Sequence, residues 1–198
     1  MTASGADQPD VEIRFLHSDE FDQLEPLWLV VHRAQVTLTR HLESVLPAAG
    51  EEVSWRRRRA LYRRTLGRGL GLLLRPFNRL RGVAPGFILV AAAGSRVVGY
   101  IAVRVERRES ATWNRARWVG SITSVSVGDD FQGRGIGRRL LLHAGSELQA
   151  RGVNELTGEV VVGNKDALRL YERLGFHPFF VNVVARIPLN EETTDERS

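Results

Sequence analysis

Polar and apolar residues alternate in VEIRFL (11–16), which predicts a short half-buried strand. Ser18 then offers an N-cap, with Asp19 and Glu20 in the first turn of a helix running to about His41. From Glu51 the pattern becomes helical again. Tyr62, Leu66, Leu70, Leu73 and Phe77 recur at spacings of four, four, three and four, an amphipathic stripe set among arginines. Gly67, Gly69, Gly71 and Pro76 interrupt that stripe and predict breaks rather than one long rod. From Gly86 onward, FILVAAA and RVVGYIAVRVE are parted by Gly94 and Ser95, the signature of a hairpin. A polar loop, RRESATWNRA, leads to another strand, RWVGSITSVSV (117–127). Next come DDFQGRGIGRR and an apolar helical run that stops before Gly152. ELTGEVVV reads as a strand, Asn164 caps the helix KDALRLYERL, Gly175 ends it, and FFVNVVARI reads as a last strand.

Strand, helix and strand over 117–162 predict a parallel pair with a right-handed crossover, and the hairpin before them makes the sheet mixed. A chain of 198 residues, 43% hydrophobic, suits one buried core, so the expectation is a single domain over 11–188. The polar ends, 1–10 and 189–198, read as disordered. Cysteine is absent, which excludes disulfides, thiolate metal sites and a cysteine nucleophile. The first ten residues are polar, and no apolar run approaches the roughly 20 residues of a membrane span. A cytoplasmic protein with no membrane partner is the expectation. The five histidines have no metal-ligand spacing, so no metal is expected; His32 and His41 fall on the first helix. No GxSxG elbow supports a serine hydrolase.

The net charge of +5 is local, because residues 56–81 hold ten arginines and no acid. Such basicity raises nucleic acid as a partner. No nucleic-acid motif accompanies it, and Lys165 is the only lysine, so arginine is favoured throughout and nucleic acid is the weaker reading.

The glycine-rich stretch carries more information. A helix N-terminus presents unpaired amides and the positive end of the macrodipole. Gly133, Gly135 and Gly137 let the backbone approach a bulky phosphate. Arg134, Arg138 and Arg139 oppose the dipole, at about 0.3–1 kcal/mol each, unless an anion binds there; the alternative is a turn with solvated arginines. Neither the P-loop nor the dinucleotide fingerprint fits, since no Lys-Ser or Lys-Thr follows and the glycine spacing is GxGxG.

Gln132, Gly133, Arg134, Gly135, Ile136 and Gly137 resemble the pyrophosphate loop of the GNAT superfamily of N-acetyltransferases, and EVVVGNKDALRLYERLGF (159–176) resembles the second half of the same coenzyme-binding core. The resemblance covers about 86–188, more loosely 11–50, with 117–176 as the acetyl-coenzyme A core and the Arg-rich 51–82 segment outside it. It implies an α/β (α+β) fold: a mixed sheet with central strands splayed and helices on both faces. It implies acetyl-coenzyme A as co-substrate and a small-molecule or peptide amine as acceptor, and it allows a homodimer. By position, backbone groups of Val125, Ser126 and Val127 would meet the pantetheine arm, and the amides from Gln132 to Arg138 would hold the pyrophosphate. Asn164 matches the family asparagine near the pantetheine, and an ordinary N-cap role is compatible with that.

Tyr171 matches the tyrosine that in many relatives returns a proton to the leaving thiolate. Ala167, Leu168, Tyr171 and Leu174 also share a helical stripe, so a core tyrosine would look the same. Glu159, an acid in an apolar strand, matches the base of ribosomal-protein N-terminal acetyltransferases; pairing with an arginine at a strand end is its alternative. The glutamate that other relatives carry one strand earlier is replaced here by Ser121. The rival function is a non-catalytic coenzyme-binding or nucleic-acid-interacting module.

Overall fold

The computed structural model describes residues 10–66 and 86–188. The last part of the helical stripe, from Gly67 through Pro76 and Phe77, and both chain ends lie outside the described residues.

Five strands form one sheet in the order β1-β2-β3-β4-β5. They are β1 (Val11–Phe15), β2 (Phe87–Ala93), β3 (Arg96–Arg107), β4 (Trp118–Val127) and β5 (Leu156–Gly158). The first four are antiparallel neighbours and β5 runs parallel to β4. Gly94, at φ +60°, makes the β2–β3 turn in a conformation costly for any residue with a Cβ. The α-helices among the described residues are α1 (Leu24–Leu38), α2 (Glu51–Thr65), α3 (Ile136–Ala150) and α4 (Lys165–Glu172).

Each face of the sheet has its own core. On one face α3 buries Ile136, Leu140, Leu141, Ala144 and Leu148 against Leu89, Ile101, Val103 and Ile122, and α4 adds Tyr171. Leu140 and Leu148 are fully buried; truncating either to alanine costs about 2–5 kcal/mol. On the other face α1 and α2 bury Leu24, Leu27, Trp28, Trp55 and Tyr62 against Ile88, Val90, Tyr100 and Ala102. The mixed sheet with helices on both faces is the fold the sequence predicts.

Several local expectations are corrected. The segment from Ser18 to Gln23 is a 3-10 turn, and the α-helix starts only at Leu24. Ser18 is not the cap. The carboxylate of buried Glu20 turns back to accept the His17 amide at 3.0 Å and takes Arg14 Nη1 at 2.7 Å. That geometry holds the Glu20 carboxyl down at about 2, the Arg14 hydrogen bond being the first cause. On α4 the inward stripe is Ala167, Leu170, Tyr171 and Leu174, whereas Leu168 is exposed.

Two strand expectations fail more instructively. ELTGEVVV pairs only over Leu156–Gly158, and Glu159 to Val162 leave the sheet. FFVNVVARI forms no strand at all; Val183 is 93% exposed, and Phe179 and Phe180 stack on Trp113 instead. A strand is stable only when its backbone groups find a neighbour. Among the described residues, 177–188 makes no backbone ladder.

Candidate functional site

Strand β4 is paired on both edges only at its start. Gly120, Ser121 and Ile122 face Leu156, Thr157 and Gly158 in β5, and there the parallel ladder stops. On its other edge β4 stays paired with β3 as far as Val127. From Thr123 to Val127 the β5-side edge therefore has no strand partner among the described residues and is open in that sense. Backbone parity says which groups occupy it. The Gly128 amide donates to the Val98 carbonyl at 2.9 Å, so Gly128, Ser126 and Ser124 turn their backbone groups to β3. Val125 and Val127 turn theirs to the open edge. Gln132 caps part of it, its Nε2 donating to the Val127 carbonyl at 3.1 Å. Ser126 is oriented differently from its neighbours: its backbone faces β3, and its hydroxyl donates to the Leu27 carbonyl of α1 at 2.8 Å.

Just beyond the open edge lies the glycine mouth. Gly133 and Gly135 take φ of +74° and +72°, and nothing lies within 4 Å of a Cβ added at either, so both are selected by conformation rather than by crowding. Gly137 sits closer in, 3.6 Å from Leu170 and 3.9 Å from Val127 by the same measure, which lets the first turn of α3 settle against β4 and α4. Among the described residues, the amides from Gly133 to Arg138 find no backbone or side-chain acceptor; the next bond is from the Arg139 amide to the Gly135 carbonyl, at 3.0 Å. Six successive donors at the positive end of a 15-residue helix form an anion cradle. The three arginines divide. Arg134 donates to the Asp130 carbonyl at 2.7 Å and lies over the Phe131 ring. Arg139 reaches away to the Val11 carbonyl at 2.6 Å and ties α3 to β1. Arg138 is exposed and carries no such tie among the described residues.

Tyr171 comes to the fork from the α3/α4 face. It is 7% exposed, packs against Phe176, and its hydroxyl lies 3.5 Å from where a Cβ would stand on Gly158, the last β5 residue paired with β4. That hydroxyl has no hydrogen-bond partner among the described residues, and burial pushes its pKa up to about 12. Asn164 caps α4, its Oδ1 accepting the Ala167 amide at 3.1 Å. Glu159 is exposed, one residue beyond the fork. The reason sequence gave for its function, an acid buried in an apolar strand, is overturned, because the strand ends before it.

The opposite face of the fork is built by α1 and α2. Leu27 lies beneath Ser126, and Leu38, eleven residues later, is 3.6 Å from where a Cβ would stand on Gly163, so α1 spans from the open edge of β4 to the loop that follows β5. Tyr62, Tyr100 and Ser124 join hydroxyls beneath it. Tyr62 Oη is 2.8 Å from Tyr100 Oη and also hydrogen-bonds Ser124 Oγ, which donates to Tyr100 Oη at 3.1 Å. Arg58 covers this group, its Nη1 donating to the Thr123 carbonyl at 2.9 Å and its guanidinium 3.9 Å from the Trp28 ring. The sequence reading missed Arg58 and the hydroxyl ring; the Tyr62 stripe was the one available signal. Among the described residues no group of His, Asp and Glu is arranged to hold a metal ion, and no helix is long and apolar enough to cross a membrane.

Comparison with known proteins agrees with this geometry. The model of the Acetyltransferase (GNAT) family matches residues 50–176. The chain is 47% identical over 57 residues to the [ribosomal protein bS18]-alanine N-acetyltransferase of Salmonella typhimurium, covering 29% of this chain and 38% of that one. It is 37% identical over 95 residues to a mycothiol acetyltransferase of Saccharomonospora viridis, covering 47% and 30%. The chain thus spans about a third of the length of these curated relatives. Among solved structures, AAC(6')-Iy in complex with the bisubstrate analog CoA-S-monomethyl-acetylneamine superposes with a TM-score of 0.56 at 12% identity, over 89% of this chain and 97% of that one.

Proposed function

The chain belongs to the Acetyltransferase (GNAT) family, and from that premise we propose that it transfers an acetyl group directly from acetyl-coenzyme A to a primary amine of a small molecule or a peptide. The observation that carries the proposal is the run of six amides from Gly133 to Arg138 without an acceptor among the described residues, beside the β4 edge whose ladder to β5 ends at Ile122. The residues fit a coenzyme of that shape. The cradle suits a diphosphate, Arg138 adds an exposed cation, and the open backbone groups of Val125 with the Val127 amide suit the amides of a pantetheine arm. Relatives named for acetylating a ribosomal protein and mycothiol, and a neighbour bound to a coenzyme A bisubstrate analog, support this choice.

The roles of the residues follow from chemistry. Attack on a thioester carbonyl places negative charge on its oxygen, and an outward amide of Val125 or Val127 is the donor for that charge. The attacking nitrogen must be neutral and then shed a proton, which Glu159 takes through water from its solvated position beside the fork. The departing sulfur needs a proton, and Tyr171 is its donor. Magnitudes constrain that step. A phenol held at about 12 is some 3.5 units above an aqueous thiol near 8.5, a difference of about 5 kcal/mol against transfer. The transfer therefore requires a thiolate as poorly solvated as the phenol, a condition that bound coenzyme and acceptor would have to create by covering the fork.

Release of free thiol from acetyl-coenzyme A in the presence of a panel of amines and peptides tests the proposal. Amine-dependent release with a mass gain of one acetyl group on the acceptor is expected. Tight coenzyme binding with no release for any acceptor would make the chain a coenzyme-binding module instead.

A further inference from the structure

Arg58 is half-buried on the α1/α2 face of the fork, whereas Arg57, Arg63 and Arg64 of the same helix are exposed. Arg59 is paired with Asp22 at 2.7 Å, Arg56 with Glu52 at 3.9 Å, and Arg33 with Glu51 at 2.7 Å. Among the described residues Arg58 has no carboxylate within ion-pair distance. Its protein partners are neutral: the Thr123 carbonyl, the face of Trp28 and, at 5.8 Å, the ring of Tyr62. A partly desolvated guanidinium is costly to hold unless something negative shares its surroundings.

The anchors also fix its orientation. Stacking on Trp28 holds the plane, and the bond to Thr123 uses one of five N–H donors, leaving an edge free. Thr123 is the first β4 residue after the ladder to β5 ends. Arg58 thus reaches the fork from one face while Tyr171 reaches it from the other. On that face Tyr62, Tyr100 and Ser124 satisfy one another's hydroxyls and leave none for a ligand, so Arg58 supplies the strong polar contact there.

We propose that the planar edge of Arg58, held by Trp28 and Thr123, binds a carboxylate on the acceptor molecule, so that the preferred acceptors are amines carrying a carboxylate near the reacting nitrogen. The inference rests on the acetyltransferase reading, and it adds the chemical class of the acceptor. A free amino acid and a peptide whose N-terminal region bears Asp or Glu would present the same group.

Matched acceptors test it: amino acids against their carboxamides, and acidic peptides against the same peptides with Asn or Gln. In the wild-type protein kcat/KM is expected to be at least tenfold higher for the carboxylate member, expressed mainly in KM. The peptide arm and the amino acid arm tell the two sources apart. Arg58→Gln is expected to lose the preference, with Arg58→Lys recovering part of it, while calorimetric affinity for coenzyme A stays the same in all three proteins. Equal rates for carboxylate and carboxamide in the wild type, or a preference that survives Arg58→Gln, would overturn the proposal. A second measurement needs no turnover. With coenzyme A bound, carboxylate amines are expected to change the fluorescence of Trp28, scored against Trp28→Phe, and carboxamides are not. No response to carboxylates at millimolar concentration would equally overturn the subsite. Should the wild type acetylate no amine at all, the acetyltransferase reading fails, and this titration alone still decides the role of Arg58.

Discussion

The chain has three tyrosines, and all three are buried, yet they lie in two environments that teach opposite lessons. Tyr62 and Tyr100, on the α1/α2 face, close a ring of hydrogen bonds with Ser124. Tyr171, on the α3/α4 face, points a hydroxyl with no partner among the described residues at the place where β4 and β5 part. Burial raises the pKa of all three. Burial alone therefore does not distinguish structure from chemistry. The partner does: Tyr62 and Tyr100 spend their hydroxyls on each other and on Ser124, whereas the Tyr171 hydroxyl has no partner among the described residues and is available to a ligand.

The largest expected consequence of the comparison is in alkaline stability. Each phenol is neutral in the folded state above the pH at which it ionises in the unfolded chain, so the unfolded state binds fewer protons and stability falls as pH rises. The stability is fully present below pH 10 and is lost as pH rises above it; for Tyr171, with a pKa of about 12, the loss approaches about 3 kcal/mol by pH 12. Denaturant midpoints from pH 8 to 11.5 measure it. Tyr171→Phe is expected to flatten that slope, and an unchanged slope would mean the phenol is solvated.

Next in size is turnover. Tyr171→Phe is expected to lower kcat at least tenfold, about 1.4 kcal/mol of transition-state stabilisation, with coenzyme affinity unchanged and the unfolding midpoint the same or slightly higher. Steady-state rates beside a thermal melt check both halves. Unchanged kcat would move Tyr171 into the same class as the other two. Smallest is Tyr62→Phe, which leaves Tyr100 and Ser124 still bonded to each other. It is expected to cost about 1 kcal/mol of stability, with turnover within about twofold of wild type well below the melting temperature. A tenfold loss of turnover there would erase the distinction between the two faces.

The same contrast explains what could be read from the chain. Gly133, Gly135, Asn164 and Tyr171 sit within six residues of a helix start, and their spacing along two successive strand-loop-helix units carries the signal. The Tyr62, Tyr100 and Ser124 ring was invisible because its members are 24 to 62 residues apart. Arg58 was lost among its neighbours, since Arg56, Arg58 and Arg59 are identical letters with different partners. The strands expected over ELTGEVVV and FFVNVVARI fell short for one shared reason. Alternation and apolarity report a side-chain pattern, whereas a strand also needs an edge to pair with, and the β4–β5 ladder ends at Gly158. That early ending, a defect by the local pattern, is what opens the edge at Val125 and Val127.

The claim beneath all of this is that the glycine mouth grips a diphosphate. Calorimetric titration of the full chain with coenzyme A and with pantetheine, which has the same thiol arm and no diphosphate, tests it most directly. The account predicts binding of coenzyme A at least tenfold tighter, with the advantage lost in Gly135→Val, whose β-branched side chain is excluded from a φ of +72°. Equal affinity for the two ligands, or undiminished coenzyme A binding by Gly135→Val, would contradict it.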